Sequence, residues 1–196
     1  MPSHPTQIIL TTPDWFQSCV AKLPEFSPNP EARMRLVLDF ARRNVEHDTG
    51  GPFAAGVFEC ESGRLVAMGV NRVVPTGCSS AHAEIMALSL AQQRLGTYDL
   101  GRGDLAGHEL VVNWRPCAMC YGAVLWSGIR HLTIAGSGPE LEELTGFDEG
   151  PIHPDWREEL SRRGISVCTD VLRDEAVQLF AWFRDSGRTV YNARQP

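Results

Sequence analysis

The chain is almost without lysine: Lys22 is the only one, and the remaining positive side chains are arginines spread along the sequence. No basic run exists, and with Lys+Arg 18 against Asp+Glu 24 the formal net charge is -6. A protein that grips tRNA or DNA usually presents a basic face to the phosphates, so this balance argues against a nucleic-acid partner without removing a local patch. An apolar run of about eighteen residues is also missing, which leaves no segment to read as a membrane-spanning helix. The opening Met1-Pro2-Ser3-His4-Pro5 has neither a basic start nor an apolar stretch with a small-residue cleavage site, so no signal peptide is expected. Internal repeats and low-complexity segments are lacking too. The cysteines number only 6, two in one Cys-x-x-Cys and the rest scattered, a usage that points to reduced thiols in a cytoplasmic protein.

What is present suits one domain with a sizeable core: 196 residues, 43% of them hydrophobic. The chain is organised around two short segments, Ala81-His82-Ala83-Glu84-Ile85 and Arg115-Pro116-Cys117-Ala118-Met119-Cys120. A catalytic zinc takes three protein ligands and leaves one position open, and His82, Cys117 and Cys120 supply one nitrogen and two thiolates. Glu84 then remains free for proton transfer. With Pro116 at the first position of a helix, Cys117 and Cys120 project from one face of its first turn, where the helix N-terminus favours thiolates. A redox pair would leave His82 and Glu84 unexplained. A closed structural site would want a fourth ligand, and none of Cys19, Cys60, Cys78 or Cys168 belongs to a second pair. His-x-Glu followed by Pro-Cys-x-x-Cys is the combination used by zinc-dependent nucleobase deaminases.

Residues 1–28 read as a Pro-rich arm with one short helix near Asp14–Leu23, residues 29–187 as the deaminase domain and residues 188–196 as a tail. Asn29-Pro30 marks a helix start. The runs 53–61 and 64–71, separated by Ser62-Gly63, predict an antiparallel hairpin. Residues 73–80 read as a loop into a helix over 81–95 stopped by Gly96, apolar on nearly every side, so that His82 and Glu84 open into a cavity. Strands at 109–113, 130–135 and 165–168 are linked through helices and are therefore expected to be parallel. Helices are also expected at 139–144 and 155–163, and a last one at 170–184 capped by Asp170.

With these motifs in view, the chain resembles the cytidine deaminase-like superfamily, and within it the bacterial guanine and ammeline deaminases, from Pro30 to Tyr191. The narrower likeness rests on Gly51-Pro52-Phe53-Ala54-Ala55, Asn71-Arg72-Val73, Gly122-Ala123 with Trp126, and Gly146-Phe147-Asp148-Glu149-Gly150. The resemblance implies an α/β fold, a three-layer α/β/α sandwich on a mixed five-stranded sheet of order 2-1-3-4-5, assembled as a homodimer. It implies Zn2+ on His82, Cys117 and Cys120, and hydrolytic deamination of a free base, guanine to xanthine plus ammonia, or of aminotriazines such as ammeline.

In that reaction Glu84 moves a proton from water to a ring nitrogen, and a second acid is useful for the departing amine. The family places an acidic residue after the Gly-Phe of the late loop. Asp148 and Glu149 both stand there, with Glu149 preferred because neighbouring side chains seldom face the same way; the alternative is that both cap or solvate a turn. Substrate contacts are expected from Asn71, whose amide offers a donor and an acceptor or else only closes an Asx-turn, and from Ala83. Phe53, Phe147, Trp126 and, least favoured, Trp114 are candidates for stacking on the base, and any one of them could be core. Tyr191-Asn192 resembles the flap that closes over the base, from the same or the neighbouring subunit. The acidic block of Glu140, Glu142, Glu143, Asp148 and Glu149 disfavours a phosphate, hence a nucleotide, unless residues 140–143 are only a solvated helix face. Competing readings are a guanosine or other nucleoside deaminase, a tRNA adenosine deaminase, and a zinc-stabilised binding protein without catalysis.

Overall fold

The computed structural model describes residues 4–193. The first three residues of the expected arm and the last three of the expected tail lie outside the described residues. In the arm, helix α1 (Phe16–Val20) buries Phe16, and the neighbouring Trp15 ring stacks on His47 at 5.4 Å. Helix α2 (Pro30–Glu46) begins where the cap signal places it: Asn29 accepts the Ala32 N–H, and Pro30 needs no partner in the first turn. Its buried stripe includes Met34, Val37, Phe40, Ala41 and Val45.

Strands β1 (Ala54–Glu59) and β2 (Leu65–Val70) form the expected antiparallel hairpin. Residues read as loop then close one helical turn, α3 (Val73–Thr76), which Gly77 ends in the left-handed region. Pro75 is tolerated because it lies in the first turn, where its missing N–H is not needed. Helix α4 (Ala83–Leu95) follows, with His82 extended at the N-cap and Gly96 left-handed at the C-cap. Strand β3 (His108–Val112), helix α5 (Ala118–Ser127) and strand β4 (His131–Ile134) come next. Helices α6 (Glu140–Thr145) and α7 (Trp156–Arg162), strand β5 (Ser166–Cys168) and helix α8 (Arg173–Asp185) complete the order.

The strands form one sheet of order β2-β1-β3-β4-β5. β1 is antiparallel to both neighbours, and β3, β4 and β5 run parallel. Alternation along β3 divides the core: Val111 faces α1, α2, α6 and α8, whereas Leu110 and Val112 face α4, α5 and α7. This is the three-layer α/β/α sandwich. The approach of α4 to the sheet depends on Gly69, because a Cβ there would come 2.4 Å from Ala83 O and Ala87 N. Glycine in β2 thus lets the His82 end of α4 lie flat on the hairpin.

Helix α4 begins two residues after its expected start at 81, and two further expected helix starts shift. Pro116 is not the first residue of α5, because Cys117 is extended (ψ 172) and serves as N-cap. The Asp170 cap is also not made: Asp170 and Leu172 both have positive φ, and α8 begins only at Arg173. The Asp170 carboxylate is taken instead by the Thr169 hydroxyl at 2.7 Å.

Candidate active site

The two helix starts meet beside the carboxyl end of β3, the side of an open α/β sheet where ligands bind. His82 caps α4, Cys117 caps α5, and Cys120 sits in the first turn of α5, so three donor atoms converge within 4.8 Å of one another. The His82 Nδ1 to Cys117 Sγ separation is 3.6 Å. Zinc–nitrogen and zinc–sulfur bonds of about 2.0 and 2.3 Å at a tetrahedral angle place such a pair about 3.5 Å apart, so the donor set fits that ion in chemistry and in spacing. Hydrogen bonding with Cys120, ahead of that with His82, pulls Cys117 down to about 4, and the same bond pushes Cys120 up. Burial opposes a charge on His82, but its bond to Cys117 and the nearby acidic groups, Glu84 foremost, outweigh that and raise it.

Two carboxyl groups complete the site. Glu84, in the first turn of α4, is buried, and burial followed by the Cys117 charge pushes it upward. Glu149 is raised to about 8, first by burial and then by Cys117 and Glu84. Its backbone carbonyl accepts the Ala118 N–H at 3.0 Å, which ties the late loop to the start of α5. Asp148 is exposed at the rim of the same cleft, where its carboxylate accepts the Gly150 N–H at 2.9 Å. Of the two neighbouring acids, Glu149 is the one beside the donor triad.

These groups line a cleft of about 300 Å³, shared by His82, Cys117, Phe147, Glu149, Tyr191 and Asn192. A small inner recess is lined by Phe53, Glu84, Trp114, Arg115 and Glu149 among others. Phe147 packs edge-on against Phe53 at 5.1 Å and lies 4.9 Å from the Tyr191 ring. Asn71 is wholly buried, and its Oδ1 accepts from Val73 N at 3.3 Å, the Asx-turn that stood as the alternative to a base contact. Its Nδ2 remains on the cleft side and donates to the Tyr191 hydroxyl. Ala83 is buried between the two functional residues of its motif. The acidic block is less of a field than its composition suggests: Glu140 pairs with Arg173, and Glu142 and Glu143 are exposed.

Trp126 is not brought to the site. It stands 85% exposed beside Ile85, Ser89 and Gln92, away from the cleft. Six residues after Cys120, it is about a third of a turn out of phase and about 9 Å further along the helix. Trp114, the least favoured stacking candidate, is mostly core and lies under the Arg173 guanidinium at 5.4 Å.

Sequence reading did not single out Asn44 and Asn113, both wholly buried. Asn113 accepts from Ala54 N at 3.1 Å and donates to Pro52 O at 2.9 Å, holding the chain on both sides of Phe53. The one local signal was an amide at a position whose neighbours in the pattern are apolar, such as Asn44 beside Val45 and four residues after Phe40.

Residues 28–135 match the family model of the cytidine and deoxycytidylate deaminase zinc-binding region. The structure of the guanine deaminase from Nitrosomonas europaea superposes with a TM-score of 0.87 at 45% identity, covering 94% of this chain and 100% of that one. A related crystal structure in complex with 2,6-diaminopurine gives 0.85 at 48% identity, over 94% and 96% of the two chains. The guanine deaminase of Bacillus subtilis (strain 168) is 28% identical over 163 residues, 83% of this chain and 99% of that protein. With more than half of its length in the family model and relatives matched nearly end to end, the chain belongs to the cytidine and deoxycytidylate deaminase family, in the branch of the bacterial guanine deaminases.

Proposed function

We propose that this deaminase hydrolyses a free purine base, converting guanine and water to xanthine and ammonia, and that it also accepts ammeline-type aminotriazines. The observation that carries the reading is the pair of carboxyl groups, buried Glu84 and half-buried Glu149, beside the His82, Cys117 and Cys120 triad. His82, Cys117 and Cys120 would hold Zn2+, which when bound supplies activation of water as a nucleophile at neutral pH. Glu84 takes a proton from that water and delivers it to the ring nitrogen next to C2, making C2 electrophilic. Once the water oxygen has bonded to C2, Glu149, kept protonated by its surroundings, gives a proton to the amine as the C2–N bond breaks and recovers one from the C2 hydroxyl as the carbonyl forms.

Asn71 hydrogen-bonds the edge of the base, Phe53 and Phe147 bound its flat face, and Tyr191 closes the cleft over it. The cleft, about 300 Å³ in volume and with no Lys or Arg among its lining residues, favours an uncharged base over a nucleotide. A homodimer in the cytoplasm belongs to the same reading; among the described residues no helix is long and apolar enough to cross a membrane.

The deciding experiment follows ammonia release by the zinc-loaded protein with guanine, run beside guanosine, ammeline, adenine and cytosine. Turnover of guanine that disappears in Glu84→Ala with zinc retained is the expected result, and chelation should abolish it until zinc is restored. Absence of turnover on all five, with zinc bound, would refute the assignment and turn attention to nucleic acid or another heterocycle.

A further inference from the structure

A buried polar chain beneath the cleft has no part in the deamination chemistry. Asn44, on α2, is wholly buried. Its amide donates to the carbonyls of Gly51 and Asn71, each at 2.9 Å, and its Oδ1 accepts from the Thr49 hydroxyl at 2.9 Å. The same hydroxyl accepts the indole N–H of Trp15 at 3.0 Å. Both amide hydrogens and the amide oxygen of Asn44 are therefore used, in a region where an unmade bond is costly.

The two carbonyls held by Asn44 belong to residues that lie directly behind Tyr191, which lines the cleft. Gly51 N donates to Asn71 Oδ1 at 3.4 Å, and a Cβ at Gly51 would meet the Tyr191 ring at 3.3 Å. Gly50 is packed into the junction itself: a Cβ there would lie 2.0 Å from Asn71 O and 2.6 Å from Asn44 Nδ2. The arm is tied in a second time, since Arg72 donates to Thr49 O at 2.6 Å and to Thr11 O at 2.9 Å. A peptide plane fixed on its carbonyl side fixes the direction of the side chain it carries, so Asn44 determines how Asn71 addresses the cleft.

We infer that Asn44 is a positioning residue for the base, acting through the Asn71 and Gly51 carbonyls, and that Thr49 and Trp15 make the N-terminal arm part of the same device. The inference rests on the reading of Asn71 as a base-binding residue. Loss of ground-state and transition-state binding together raises KM and leaves kcat, whereas general loosening of the fold does not separate the two.

The test uses the full zinc-loaded chain with guanine. Thr49→Val, which removes the hydroxyl, should raise KM by about tenfold with kcat within about twofold, and Thr49→Ser should keep the KM of the unaltered protein. Asn44→Asp keeps the shape but turns an acceptor toward two carbonyls, and should raise KM at least as far. The dissociation constant of 8-azaguanine, measured in a Glu84→Gln background, should rise by the same factor for each change. Unchanged KM and 8-azaguanine affinity in Thr49→Val, or a fall confined to kcat, overturns the inference even if Asn44→Asp fails to fold. If the unaltered protein neither deaminates guanine nor binds 8-azaguanine, the substrate assignment fails first and the inference falls with it.

Discussion

The side-chain amide of Asn71 donates a hydrogen bond to the hydroxyl of Tyr191, although 120 residues separate them. That contact joins the end of the hairpin to the tail across the mouth of the cleft. Tyr191 lies 6.2 Å from the His82 ring, and the next residue, Asn192, accepts the Asp148 N–H at 3.0 Å and donates to Gly146 O at 2.7 Å. Tyr191 and Asn192 thus line the cleft, and Asn192 braces the loop that carries Glu149. Tyr191→Phe keeps the ring and removes only the hydroxyl, so it should raise KM for guanine by about threefold to tenfold and leave kcat nearly unchanged. Steady-state kinetics decide this, and an unaltered KM would mean that the bond does not shape the closed cleft.

Glu149 and Asp148 are neighbours with opposite surroundings, and the contrast makes a sharp pair of variants. Burial, then Cys117 and Glu84, hold Glu149 at about 8, so it carries a proton at neutral pH. Glu149→Gln preserves size and hydrogen bonding but has no proton to transfer. Its kcat should fall by about 10² or more while the zinc content stays the same. Asp148→Asn changes an exposed side chain at the cleft rim that keeps its turn bond to Gly150, and should stay within about twofold. Equal losses in the two variants would remove the distinction between them.

How far such roles could be read without coordinates differs from residue to residue. The Asn29-Pro30 start, the hairpin and the parallel strands are local or nearest-neighbour patterns, and each appears where its pattern lies. The donor triad was legible because metal chemistry restricts which residue types can meet. Asn44 was not, because nothing near it in sequence reveals that a buried amide will find the carbonyl of Asn71, 27 positions away. Trp126 was misplaced for the converse reason: sharing a helix with Cys120 says nothing about sharing its face. The late start of α8 depends on positive φ at Asp170 and Leu172, a conformation that composition does not announce.

Glu109 shows the same blindness inside a strand that reads as simply apolar. Its carboxylate is buried, paired with Arg33 and bonded by the Thr133 hydroxyl, while Arg33 Nε donates to Ser27 O at 3.0 Å. Removing one partner leaves the other charge buried and uncompensated. Glu109→Ala should therefore cost about 3–5 kcal/mol of unfolding free energy. Replacing both, Arg33→Met with Glu109→Leu, should cost clearly less than the single change. Urea denaturation of the three zinc-loaded proteins makes the comparison, and a double variant as unstable as Glu109→Ala would contradict it.

At the hairpin turn the charge is nearer to solvent, and pH becomes the informative variable. The Glu59 carboxylate accepts from Arg64 and from the Ser62 hydroxyl at 2.6 Å, and these bonds, Arg64 first, lower it from the usual 4.5 to about 2. Because the folded value is depressed, the unfolded chain takes up a proton that the folded chain refuses once pH drops below the usual carboxylate value. The contribution is then complete above about pH 5 and is lost as pH falls through the folded value near 2. The Arg64 side chain is 36% exposed, so solvent screening limits the contribution to about 1 kcal/mol. Urea midpoints of the unaltered protein and Glu59→Gln should differ by a constant amount between pH 6 and 8, and converge as the pH is lowered. A gap that persists undiminished to pH 3 would mean that the stabilising partner of Glu59 is not the ionised carboxylate's bond to Arg64, and that the turn is held by its backbone hydrogen bonds alone.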